Sequence, residues 1–178
     1  MIWPFRRKSK KRMARIVIDE PITSSTRVSF LKAIKQIEER EFPALILRID
    51  SPGGTVGDSQ EIYSAIKRLK DKGCKVVASF GNISASGGVY IGVASDKIVA
   101  NPGTITGSIG VIIRGNNLSE LLNKIGIKFE TVKSGIYKDI LSPDKALSEE
   151  GRELLQNIID ESLSLIHISE PTRRYAIS

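Results

Sequence analysis

The sequence predicts an α/β fold of repeated strand-helix units with a largely parallel sheet. Three observations carry that expectation. From residue 14 onward, short runs rich in Ile and Val alternate with segments of helical period, the pattern of helices laid over a parallel sheet. Glycine-bearing turns follow two consecutive apolar runs, and the carboxyl ends of strands are where such sheets collect ligands. A length of 178 residues with 40% hydrophobic and 26% charged residues suits one ordinary domain and excludes disordered, collagen-like and coiled-coil chains.

The elements follow in order. Arg15 to Asp19 reads as the first strand, and Val28, Leu31, Ile34 and Ile37 as the stripe of a helix capped by Ser24 or Ser25 and closed by Pro43. Ala44 to Ile49 is the second strand. Beyond Ser51-Pro52-Gly53-Gly54, a second helix carries Ile62, Ala65, Ile66 and Leu69; Asp58 and Glu61 have the spacing of a capping box and Gly73 ends the helix. Lys75 to Phe80 is the next strand, followed by a glycine-rich turn and an apolar helix from Ser86 to Ala94. Strands are expected at Lys97 to Ala100, Val111 to Ile113 and Lys128 to Val132. Between the last two lies a helix striped by Leu118, Leu121, Leu122 and Ile125, capped by Asn117 and stopped by Gly126. A final helix begins near Ser148, with Leu154, Leu155, Ile158 and Ile159 on one face.

The net charge of +7 suggests a nucleic-acid partner until its position is considered. Arg6, Arg7, Lys8, Lys10, Lys11, Arg12 and Arg15 precede the first acid, Asp19, and the rest of the chain holds 20 basic against 20 acidic residues. With a neutral body, no nucleic-acid partner is expected. Met1-Ile2-Trp3-Pro4-Phe5 and the basic run instead suit peripheral contact with an anionic membrane. Neither a signal peptide nor a transmembrane helix is expected. The longest uncharged stretch, Val76 to Ser95, is interrupted by four glycines, so the expected location is cytoplasmic. Residues 163–178 lack a sustained period, and Ser164 to Arg174 resembles a translated sequencing-adapter sequence, so this tail reads as foreign. The single cysteine, Cys74, reads as core filling.

Ser84-Ala85-Ser86-Gly87-Gly88 approximates a nucleophile elbow, with Ser84 where glycine usually sits. The alternative for Ser86 is plain helix capping. Ser51-Pro52-Gly53-Gly54-Thr55 suits inward-facing amides for an oxyanion or phosphate. A serine nucleophile needs a base, and the only histidine, His167, lies in the tail. A lysine serves if burial favours its neutral amine, at a cost on the order of 4 kcal/mol. Lys138 sits between apolar neighbours on the loop Ser134 to Ile140, a place that taken alone suits a surface lysine better than a base. No metal site, nucleotide motif or cofactor is expected, because no Cys/His cluster, Walker motif or G-x-G-x-x-G occurs.

Together these elements resemble the signal peptide peptidase A family of serine proteases, built on the fold shared by the ClpP protease and the crotonases. The matching pieces are Ile49 to Gly54, Ala85 to Tyr90, Ala100 to Val111 and Ser134 to Asp139, and the likeness covers about residues 14–162. The resemblance implies a nucleophile at Ser86, a general base at Lys138, an oxyanion hole at Gly54 and Gly87, and a supporting turn at Gly53. It also implies signal peptides or other unfolded segments as substrates, and a homo-oligomer with the dyad formed either within one subunit or between neighbours. The expected organisation is a basic aromatic head over 1–13, a catalytic domain over 14–162 lacking its final segment, and the tail over 163–178. The alternatives are a crotonase-like acyl-CoA-binding enzyme, which shares the turns without needing Lys138, and a truncated non-catalytic assembly subunit.

Overall fold

The computed structural model describes residues 12–169; residues 1–11 of the basic head and 170–178 of the tail lie outside the described residues. The chain forms two compact units, one ending at Ile109 and the other starting at Gly110.

The first unit is a five-stranded parallel sheet. Its strands are β1 (Ala14–Ile18), β2 (Ala44–Ser51), β3 (Lys75–Ala85), β4 (Lys97–Val99) and β5 (Ile105–Gly107), with helices α1 (Ser24–Glu39), α2 (Val56–Asp71) and α3 (Gly87–Val93) between them. The order is β1-β2-β3-β4, and β5 pairs β3 beyond the end of β4. The fold class is the one the sequence predicts.

β2 shows why the sheet forms. Leu45, Leu47, Ile49 and Ser51 are fully buried, while the alternating Ala44, Ile46, Arg48 and Asp50 are half-buried, as period-two side chains require. The buried side chains join Phe30, Ile34 and Ile37 of α1, and Ile62, Ile66 and Leu69 of α2, in one core. Burying each large apolar side chain contributes about 1.5–3 kcal/mol. Cys74 lies within this core, as expected.

Two helix starts differ from the sequence reading. α1 is capped by the extended Thr23, whose amide donates to Thr26 Oγ1 at 3.3 Å, so Ser24 and Ser25 lie inside the first turn. α2 starts from Thr55, and Asp58 and Glu61 do not form a box. Arg27 of α1 donates to them at 2.7 and 3.1 Å, tying the two helices together. Val28, expected in the core, is exposed: two residues from Phe30 is about 200° around a helix.

The second unit contains α4 (Ser119–Lys124) and α5 (Glu149–Ser169). Leu118, not the expected Asn117, is the N-cap of α4, and Asn117 Oδ1 one residue earlier accepts the Ser119 amide at 3.0 Å. The strands expected at Val111 to Ile113 and Lys128 to Val132 do not form. Neither run has a paired neighbour among the described residues, and Ile112 (73%), Phe129 (55%) and Val132 (104%) are exposed. A strand without a partner leaves its amides and carbonyls unsatisfied. α5 runs through residue 162 to Ser169, because no glycine or proline occurs between Gly151 in its first turn and Pro171. Among the described residues, no helix is long and apolar enough to cross a membrane.

Candidate functional site

β2 and β3 are adjacent and parallel, so the turns that leave them, Pro52 to Thr55 and Ser86 to Gly88, emerge at one edge of the sheet. The turns are packed against each other. A Cβ built on Gly53 would stand 2.8 Å from the Gly87 amide nitrogen and 2.9 Å from Ser86 Cβ, and Gly53 itself has φ +97°. Only glycine meets both demands there. Gly87 is equally confined, since a Cβ on it would lie 2.5 Å from Ser59 Oγ.

Ser86 forms the corner between β3 and α3. Its φ is 50° and its ψ −118°, a left-handed conformation for a residue with a side chain, and such residues carry strain of about 1–3 kcal/mol. A strained corner with small neighbours is the geometry of a nucleophile elbow. Ser86 is half-buried, whereas the following residues, Gly87 to Gly92, are buried. Below the corner, Tyr90 stacks on Tyr63 with ring centroids 4.7 Å apart.

Hydrogen bonding sorts the amides of the two turns. Gly53 donates to Ser51 Oγ at 3.2 Å, and Ser86 donates to the carbonyl of Gly107 at 2.8 Å. The neighbouring Thr55 amide binds the Ile22 carbonyl at 3.0 Å, and Ile22 in turn donates to the Gly53 carbonyl at 2.9 Å. Among the described residues, the amides of Gly54 and Gly87 donate to no acceptor. Ser84, two residues before the corner, is fully buried, and its hydroxyl has no partner among the described residues.

Lys138 belongs to the second unit and lies in a turn, its amide donating to the Gly135 carbonyl at 3.3 Å. Its side chain is exposed, the setting of a surface lysine rather than the burial that a neutral amine requires. The adjacent Asp139 accepts Lys133 Nζ at 2.6 Å and Lys145 Nζ at 2.7 Å, one on each carboxylate oxygen. These bonds, Lys133 foremost, hold its carboxyl down at about 2. Ser86, Gly87, Gly53 and Gly54 thus come together within the first unit, and Lys138 sits in the second. Sequence reasoning missed Ser59, which supports Gly87 and donates to the Thr55 carbonyl at 2.8 Å, and Gly107, which holds Ser86; a lone serine on a helix carries no signal of such a contact.

Comparison with known proteins agrees with this architecture. The model of peptidase family S49 matches residues 68–166, more than half of the chain. A Synechocystis protein named as a protease is 60% identical over 162 residues, which is 91% of this chain and 58% of that protein. An Enterococcus faecium protein named as a signal peptide peptidase is 42% identical over 132 residues, 74% of this chain and 38% of that one. The chain therefore spans between about two fifths and three fifths of these relatives' lengths. Among solved structures, the membrane-bound stomatin-specific protease 1510-N has a TM-score of 0.50 and 21% identity, covering 88% of this chain and 66% of its own, and shares the fold.

Proposed function

Because the chain belongs to peptidase family S49, we propose that it carries the nucleophilic centre of a serine endopeptidase. Ser86 attacks the peptide carbonyl, its hydroxyl proton passes to Lys138, and the carbonyl oxygen becomes an oxyanion held by the amides of Gly54 and Gly87. Collapse expels the amine, which takes that proton, and leaves an acyl-Ser86 ester that water resolves.

The observation that carries this reading is the state of the amides. At the two abutting turns Gly53 and Ser86 have their N–H groups engaged, and Gly54 and Gly87 do not. An oxyanion hole needs two fixed donors free for the developing charge, each worth about 2.7–4 kcal/mol. The strained corner at Ser86 supports the nucleophile, since a sharp strand-to-helix turn with small neighbours is the backbone of a nucleophile elbow. For Lys138 the support is its motif, Tyr137-Lys138-Asp139, and the engagement of both Asp139 oxygens by Lys133 and Lys145, which leaves Lys138 outside any ion pair among the described residues.

Signal peptides or other unfolded segments near the membrane are the substrates the family likeness favours, and the name of the Enterococcus relative points the same way. Self-association is favoured by the exposed Ile112, Phe129, Val132 and Ile136 of the second unit, which a neighbouring copy would cover.

A fluorophosphonate probe tests the centre directly. It labels Ser86 in the parent chain, fails on Ser86→Ala, and labels Lys138→Ala at a rate lower by roughly 100- to 10,000-fold, the contribution of a general base. Hydrolysis of an unfolded peptide that survives Ser86→Ala refutes the nucleophile. Unchanged labelling of Lys138→Ala refutes the base.

A further inference from the structure

β2 and β3 run in regular parallel register from Ala44↔Lys75 to Ile49↔Phe80, and the next pair is Ser51↔Ser84. Where β2 advances from residue 49 to 51, β3 advances from 80 to 84. Gly81, Asn82 and Ile83 are thereby bulged out opposite one residue, Asp50, and no β2 carbonyl stands in ladder register with them. Asp50 supplies the acceptors from its side chain. Its Oδ1 accepts the Ile83 amide at 3.0 Å, and its Oδ2 accepts the Asn82 side-chain amide at 3.4 Å.

Further features belong to the same device. Gly81 leaves the room that the carboxylate occupies, since a Cβ there would collide with the Asp50 side chain. On the far side, Thr104 Oγ1 donates to the Gly81 carbonyl at 2.8 Å, and β5 takes up the pairing from Ile83↔Ile105 to Ala85↔Gly107. The Ile83 amide, followed by Asn82, holds the Asp50 carboxyl below the usual carboxylate range, so the acceptor is ionised at neutral pH.

The bulge decides where the corner stands. In unbroken register Ser51 would face Asn82, and the Ser86 corner would overshoot Gly53 and Gly54 by two residues, about 6.6 Å at the rise of a parallel strand. A misplacement of 1 Å already costs on the order of 100-fold in rate. The geometry points to Asp50 as a positioning residue for Ser86: its carboxylate replaces the missing strand acceptor and holds the bulge that sets the nucleophile corner against the Gly53-Gly54 turn. This inference rests on Ser86 being the nucleophile.

The test uses the 178-residue chain and the variants Asp50→Ala, Asp50→Asn and Ser86→Ala, with two readouts. Amide hydrogen exchange at Ile83 and Ser86 reports the bulge and the corner, and fluorophosphonate labelling reports the nucleophile. In Asp50→Ala, both amides are expected to lose protection at least tenfold while Leu47 in the sheet keeps its own, and labelling slows roughly 100-fold. Asp50→Asn retains an oxygen for the Ile83 amide and recovers most of both, which a loss of general stability would not explain. If Asp50→Ala does not fold, Gly81→Ala, which crowds the carboxylate without removing it, replaces it in both readouts. Protection at Ser86 and labelling equal to the parent in Asp50→Ala, or equal losses in the Ala and Asn variants, overturn the inference. A parent chain that is never labelled at Ser86 refutes the nucleophile instead, and hydrogen exchange then decides the role of Asp50 by itself.

Discussion

Gly53→Ala is the substitution that most directly probes the packing of the two turns. The new methyl meets the Gly87 nitrogen at 2.8 Å, the Ala85 carbonyl oxygen at 2.9 Å and Ser86 Cβ at 2.9 Å, two of them backbone atoms that cannot swing aside. Crowding of that kind costs about 1–3 kcal/mol, and an L residue at φ +97° adds roughly 1–2 kcal/mol. The expected destabilisation is thus about 2–5 kcal/mol, a fall in Tm on the order of 10 °C for a chain of this size. Gly57→Ala serves as the control: a Cβ there meets nothing within 4 Å, and the residue lies in the first turn of α2, so alanine should stabilise by up to about 1 kcal/mol. Thermal unfolding followed by circular dichroism reads both. Because the clash falls on Ser86 and Gly87, phosphonate labelling of Gly53→Ala should also drop at temperatures where the variant is fully folded. A Gly53→Ala chain as stable as the parent would show that the turns do not abut, and the reasoning about the oxyanion donors would fall with it.

Two further outcomes are expected. Leu47→Ala removes a fully buried side chain at the centre of the sheet and should destabilise by about 2–5 kcal/mol in urea unfolding; a loss below 1 kcal/mol would contradict its burial. Asp139 should titrate near 2 in a carboxyl NMR experiment, and Lys133→Ala should raise that value more than Lys145→Ala. Because its carboxyl is held below the ordinary 3.8, the stabilisation it gives the loop is present above that value and is lost only as pH falls through about 2; titration near 3.8 in the parent chain would exclude both ion pairs.

The first three strands and first two helices are legible because one-dimensional periodicity matches their burial. Leu45, Leu47 and Ile49 alternate, Ile62, Ile66 and Leu69 recur at helical spacing, and no distant residue is needed to read either pattern. Pairing is what periodicity does not contain. Val111 to Ile113 has strand composition and no ladder, while Ile105 to Gly107, where no strand is expected, becomes β5 because β3 runs on to Ala85 and offers it an edge. Capping failed for a related reason. Asp58 and Glu61 have the spacing of a box, yet Arg27, more than thirty residues away in sequence, binds both carboxylates, and the Thr55 hydroxyl binds Asp58 as well.

The candidate centre divides along the same line. Gly53, Gly54 and Gly87 are visible from sequence because a backbone that must adopt φ +97° or approach within 3 Å of its neighbour tolerates no other residue, and the glycine itself is the record of the constraint. Which of their amides are left without an acceptor is a different kind of fact. Gly54 is open because Thr55 and Gly53 satisfy both sides of Ile22, and Gly87 is open because Gly107 has engaged Ser86 instead. Each availability is set by the bond that a neighbour makes to a distant segment. The bond to Gly107 accompanies the pairing of Ala85 with Gly107 at the end of β5, while the bulge opposite Asp50 sets where that end of β3 meets β2. A motif therefore locates the donors, and the register of three strands determines that they are free.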